Sequence, residues 1–247
     1  MEVRTIRLWA QKILSSNDMS SKLSLLKTSM SEIKCLPLGP EIPIIWNLPK
    51  HFEQAIKPTP EIKLLHSITH IELMAIYLYW DTISLIEAPC EFYENLAAIA
   101  IQECEHYYML VSRLQELGVI YPAFKYGTHM EEFKEKTKDD ILSRLLYISL
   151  YSEGRALDSK ERLVMKLRGY NKDFKSADLL EHIINDEVNH LANGVKWFKY
   201  FVKLLNRDPL MVHKELLSKL NLVYRPPFNK HLRDLAGVPK EWYIINE

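Results

Sequence analysis

The chain has 247 residues, with 32 Lys+Arg against 32 Asp+Glu, and is 47% hydrophobic and 26% charged. That balance suits a globular protein with a sizeable core and excludes a globally basic nucleic-acid binder. Seven glycines are too few for a glycine-rich nucleotide-binding α/β fold or a turn-rich all-β chain.

Residues 4–30 carry helical periodicity in two pieces, broken near Ser15-Ser16-Asn17-Asp18, with Asp18 or Ser20 as the cap of the second. Residues 36–60 hold six of the twelve prolines, at 37, 40, 43, 49, 58 and 60. Proline lacks the amide donor and restricts the residue before it, so this stretch reads as a non-helical strap laid over a core. Residues 61–87 contain neither Gly nor Pro and repeat apolar side chains at helical spacing; Pro89 marks a break. A second long pattern runs over 91–117 and stops at Gly118, and 119–136 reads as a connecting loop. A third pattern starts near Thr137-Lys138-Asp139-Asp140 and runs to about Leu167, and a fourth runs from Ser176 to about Leu205. Asp208-Pro209 opens a shorter helix to about Leu220, followed by a mixed tail. No period-2 strand run is present. The sequence therefore predicts an all-α, single-domain chain over 1–247. Residues 1–60 form N-terminal helices and the proline-rich strap, 61–205 a four-helix core, and 206–247 a C-terminal helix and tail.

The cysteines, Cys35, Cys90 and Cys104, have no CxxC spacing and read as neither a disulfide framework nor a zinc cluster. The N-terminal stretch interrupts its apolar run with charges and lacks a cleavage site, and no window is long and apolar enough to span a bilayer. A cytoplasmic protein with no membrane segment is the expectation.

The four helical patterns carry acids and histidines on otherwise apolar faces. Glu103 with His106, and Glu187 with His190, are both Glu-x-x-His, and an i,i+3 pair lies on one face of a helix. Glu72 and Glu153 sit alone in apolar runs of the first and third patterns, 31 and 34 positions before Glu103 and Glu187. Each interval suits one helix running down and the next returning. The order Glu, Glu-x-x-His, Glu, Glu-x-x-His is the ligand pattern of ferritin-like dinuclear carboxylate bundles. Four carboxylates balance two divalent ions, and mixed oxygen and imidazole donors suit two iron ions, with manganese or a mixed Fe/Mn pair as alternatives. Otherwise the acids are buried or interhelical ion-pair partners, but four neighbouring buried carboxylates would be costly to leave uncompensated.

Leu65-His66-Ser67-Ile68-Thr69-His70-Ile71-Glu72-Leu73 resembles a signature of a ferritin-like family known as domain of unknown function 455. The blocks at 103–107, 153–158 and 186–190, Trp197-Phe198 and Pro227-Phe228-Asn229 extend that resemblance over nearly the whole chain. It implies a ferritin-like fold and a dinuclear metal site; it implies no substrate. Glu61-Ile62-Lys63 stands where the family pattern has Gly-Arg-Ala, and at 154 and 156 Gly and Ala are exchanged.

Around the ligands, Asp186 is read as orienting His106 and Gln102 as orienting His190, because ligating histidines usually donate their second N–H to an acceptor. Arg155 and Asp158 flank Glu153 as a pair or as solvated charges. His70 lies about 200° round the helix from Glu72, so His66 and His70 read as structural. Glu105 reads as outward-facing and Cys104 as a small buried hydrophobe. Tyr79, Tyr107, Tyr108, Tyr147 and Tyr151 read mostly as core. No catalytic residue is assigned. The first functional expectation is an O2-dependent oxidase or hydroxylase of a small organic substrate, in which Glu103 and Glu187 bridge the ions. The alternatives are iron binding, storage or peroxide protection without an organic substrate and, more remotely, a tRNA-modifying hydroxylase. No clear nucleic-acid binding is expected, and a homodimer is compatible with the sequence.

Overall fold

The structure is a computed structural model that describes residues 5–34, 36–55 and 57–244, so Cys35 lies outside the described residues. All regular structure among the described residues is helical, and no helix there is long and apolar enough to cross a membrane. The chain divides into two compact units, Met1–Glu131 and Glu132–Glu247.

In the first unit, α1 (Ile6–Leu14) and α2 (Met19–Glu32) precede the strap, and α3 (Pro60–Ile83) and α4 (Cys90–Glu116) follow it. Asp18 caps α2, its carboxylate accepting from the Ser21 amide at 2.8 Å. Pro60 occupies the first turn of α3, where its missing N–H costs nothing, and Thr59 caps it. From Glu72 to Ile83 every residue of α3 is buried, the mark of a helix surrounded by protein rather than laid on a surface. Helix α4 packs along it, and α1 and α2 pack against this pair.

Among its described residues the proline-rich strap before α3 has no regular structure but is pinned at several points. The Asn47 amide donates to Leu14 O, and the Ile45 amide to the Gln11 side chain, both at 3.0 Å. The Tyr77 hydroxyl donates to Asn47 O, and the Trp46 indole to Asp81 at 3.3 Å. Further along, Gln54 donates to Gly118 O at 2.8 Å and accepts from the Ile120 amide at 3.0 Å. The bonds at Ile45 and Asn47 satisfy backbone groups that a proline-rich segment cannot pair internally, and the side chains of Trp46 and Gln54 tie the strap to its neighbours.

The second unit is built on two long helical stretches. The first runs without a break from Ile141 to Asn171: α5 (Ile141–Leu145), a π-helical segment (Leu146–Ser152), α6 (Glu153–Lys166) and a second π segment (Leu167–Asn171). Asp140 caps it, accepting from the Leu142 and Ser143 amides at 3.1 and 3.2 Å. A 3.6-residue pattern does not reveal the π turns, because the run Leu145 to Leu150 is buried on all sides. The second stretch, α7 (Phe174–Leu204), starts two residues before the expected Ser176, with Asp173 accepting from the Ser176 amide at 3.0 Å. Helix α8 (Pro209–Leu220) has the expected Asp208 cap.

Two differences from the sequence expectation concern short helices. His129–Lys136 is helical rather than loop, and the tail contains Lys230–Leu235 and Lys240–Tyr243. Helices this short show little periodicity, and tertiary contacts stabilise them. Arg144, fully buried, donates to Thr137 Oγ1 at 2.6 Å and to Lys134 O at 2.9 Å, tying down the end of the first of them.

Candidate metal centre

In the first unit, α3 supplies Glu72 and α4 supplies Glu103 and His106, all three no more than 2% exposed. A donor atom from each lies within 4.8 Å of the others. His106 Nδ1 is 3.6 Å from an oxygen of Glu72 and 3.6 Å from an oxygen of Glu103. Burial disfavours a charged imidazole, but the Glu103 and Glu72 carboxylates outweigh it and raise His106 to about 11. Two buried carboxylates side by side thus favour the charged form of the His106 imidazole.

In the second unit, Glu153 is the first α-helical residue after the π segment, and α7 supplies Glu187 and His190. They are 5%, 1% and 0% exposed, and again a donor atom from each lies within 4.8 Å of the others. His190 Nδ1 is 3.5 Å from an oxygen of Glu187. This trio has a fourth member that the sequence reading missed. Lys160, 4% exposed, donates from Nζ to Glu187 Oε1 at 2.5 Å. Burial pushes the Glu187 carboxyl up. The Lys160 charge, with hydrogen bonding to Glu153 and His190, outweighs it and holds the carboxyl well below its ordinary value. The signal was present in the spacing: Lys160 is seven residues after Glu153, about two turns on and on the same helix face.

Both trios offer hard carboxylate oxygens and borderline imidazole nitrogens without thiolate, a donor set that suits a divalent metal ion. Cys104 is not part of it; burial pushes its thiol up to about 12, which leaves it unreactive. Buried carboxylates packed this closely cost several kcal/mol per ion unless a cation compensates them. The residues present therefore fit a metal ion, and these buried carboxylate and histidine groups can hold one.

The flanking residues fall in different places. Asp158 pairs with Arg233 rather than Arg155: the buried Arg233 guanidinium reaches the two Asp158 oxygens at 3.1 and 2.7 Å. It also lies over the Tyr224, Phe228 and Tyr243 rings. A Cβ on Gly154 would come within 2.8 Å of that guanidinium, so the Gly at 154 makes room for Arg233. Arg155 is exposed, 6.0 Å from the Tyr151 ring centroid. Asp186 is half-buried, 3.8 Å from His182 Nε2 on the preceding turn, and Gln102 is half-buried.

His66 and His70 hold the segment after Gly118. His66 Nε2 accepts from the Phe124 amide at 3.3 Å, and His70 Nδ1 is 2.9 Å from the Tyr121 hydroxyl while its ring stacks on Tyr126. Burial lowers both to about 4, so they are neutral near pH 7. Of the five tyrosines, Tyr79, Tyr107 and Tyr147 are buried, and Tyr108 and Tyr151 are half-buried. Glu105 is exposed.

An uncharacterized protein of Haemophilus influenzae is 30% identical over 182 residues, which are 70% of this chain and 63% of that protein. The chain thus covers less than two thirds of that relative's length. No solved structure matches the chain. Residues 4–244 match the family described as Protein of unknown function (DUF455), and the chain belongs to that family.

Proposed function

We propose that this chain is a dinuclear metal carboxylate protein of the ferritin-like class, with Glu72, Glu103, His106, Glu153, Glu187 and His190 as the ligands of two ions, iron first and manganese or a mixed pair second. The observation that carries this is a repeated one: each unit buries two glutamates and one histidine with donor atoms within 4.8 Å of one another. Once is a common accident of helical packing. Twice, in the order Glu then Glu-x-x-His, is the pattern of a bundle metal site.

The proposed reaction is an O2-dependent oxidation or hydroxylation of a small organic substrate. Two redox-active ions held there would supply the electrons that O2 reduction needs. The chain's own contribution is to fix the donors and keep water away. Leu73, Ile76, Ile99, Ala100, Leu191 and Val195, neighbours of the ligands along their helices, are all buried. The test is direct. Purified protein is reconstituted with Fe(II), exposed to O2, and its iron content and optical spectrum recorded. About two irons per chain with an oxo-bridge absorption supports the proposal. Hundreds of irons per assembly would replace it with storage, and no bound metal would overturn it. Glu103→Ala should lose metal while keeping its far-ultraviolet circular dichroism; full retention of two metals would refute the assignment.

A further inference from the structure

Away from the proposed metal ligands, the first unit contains a cavity of about 520 Å³ with basic walls. Three segments build it. Helix α3 contributes Lys63 and His66, which at i,i+3 share one helix face. The strap contributes Glu53 and Gln54, and the segment after α4 contributes Phe124 and Lys125. These walls are fixed to one another. The Phe52 amide donates to Pro122 O at 3.2 Å, the Phe124 amide to His66 Nε2 at 3.3 Å, and Gln54 is bonded to Gly118 O and the Ile120 amide. A pocket tied in this way is formed before a ligand arrives, so binding orders little. His66 is 1% exposed and neutral near pH 7, and because Nε2 accepts, its proton sits on Nδ1. Histidines apart, the charged side chains of the lining are Lys63, Lys125 and Glu53, two positive against one negative. Among the described residues neither ammonium is paired with a carboxylate.

We infer that this cavity binds the phosphate group of a small phosphate monoester, with Lys63 and Lys125 holding the phosphate and the Phe124 ring flanking the organic part. Two ammonium groups match the charge of about −1.5 to −2 that a phosphate monoester carries at pH 7. Lysine holds such a group as a point charge, which suits two side chains arriving from different segments. A carboxylate or a phosphodiester brings one charge and satisfies only one of the two. Phe124 is half-buried, its ring centroid 4.9 Å from that of His66, and offers an aromatic surface beside the cations. The volume is that of a small-molecule site. No proposed metal ligand lines the cavity, so the site stands or falls apart from the metal centre.

The test is calorimetric titration of the full-length protein with phenyl phosphate at low ionic strength, as purified and again after chelator treatment and dialysis. Binding with a Kd on the order of 1 mM or tighter is expected in both samples. Methyl phenyl phosphate and benzoate, each with one charge, should bind at least about 5-fold more weakly, and added salt should weaken all three. Lys63→Gln and Lys125→Gln should each weaken phenyl phosphate by about 5- to 30-fold, while Glu53→Gln should tighten it by about 3-fold. Disturbed packing would explain a loss, but not a gain on removing the acid. Lys12→Gln, which changes an exposed lysine of the same unit outside the cavity, should leave the affinity as it is. No binding of phenyl phosphate, equal affinity for benzoate or the diester, or unchanged affinity in both lysine variants would overturn the site. Binding confined to the sample that was not treated with chelator would overturn it too, because the phosphate would then sit on a metal. None of these outcomes alters the metal content by which the dinuclear centre is judged.

Discussion

The trio of Glu72, Glu103 and His106 and that of Glu153, Glu187 and His190 are spaced almost alike in sequence, yet their surroundings differ. In the first unit, α3 and α4 are unbroken α-helices, and the residue seven after Glu103 is the buried Leu110. In the second, a π segment ends at Ser152, just before Glu153, and the residue seven after Glu187 is Gly194. A Cβ at 194 would collide with the Ser149 carbonyl oxygen in the π segment. A π turn aims side chains differently from the turns around it and is most often retained at functional sites. Equal spacing therefore delivers the same residue types, while charge and backbone geometry are set by what packs nearby.

The largest expected effect is on metal content. His106→Ala and His190→Ala should each reduce bound metal from about two per chain to one or none, measured by elemental analysis after reconstitution. Equal metal in either variant and wild type would break the comparison outright.

Next comes the brace beside the second trio, the Arg233–Asp158 pair. Arg233→Ala removes one side of a buried ion pair and three ring contacts, and should cost about 3–5 kcal/mol in chemical denaturation. A loss below about 1 kcal/mol would show that the tail does not support α6. Gly194→Ala should cost about 1–3 kcal/mol by forcing α7 away from the π segment. Leu110→Ala, its counterpart in the first unit, should cost about 2–5 kcal/mol by the opposite mechanism, a cavity. If Gly194→Ala instead stabilises the protein, the close approach is not maintained in solution.

The smallest effect is a pH dependence. His213 is fully buried, stacked on Trp242 with ring centroids 4.8 Å apart, and burial lowers it to about 4 from its ordinary 6.5. Between those values the unfolded chain binds a proton that the folded one refuses. Stability should therefore fall as pH drops from about 6.5 toward 4, and level off below. His66 and His70 add the same sense of dependence in the first unit. His213→Phe should shrink the loss between pH 7.5 and 5 by about 1–2 kcal/mol in denaturant titrations. An unchanged pH profile would mean that His213 is protonated in the folded protein.

Much of this was legible in the chain itself. Proline placement separated strap from helices, and the helix starts at Asp18, near Asp140 and at Asp208 were readable because a short acceptor before an apolar run has one good use. The Glu-x-x-His pairs were readable because i,i+3 spacing is a local property of a helix. The π segments were hidden, since an extra residue per turn leaves no trace in a run buried on every side. Arg233 was hidden for another reason. Its partner Asp158 is 75 residues away, and Arg155, three residues from that acid, was the nearer choice on paper.

The sequence by itself determined the helical class and which acids and histidines share a helix face, because both follow from spacing within single helices. Only the tertiary structure decided which buried charges meet. It placed Lys160 on Glu187 and Arg233 on Asp158, since compensation of a buried charge depends on distance in space rather than position along the chain.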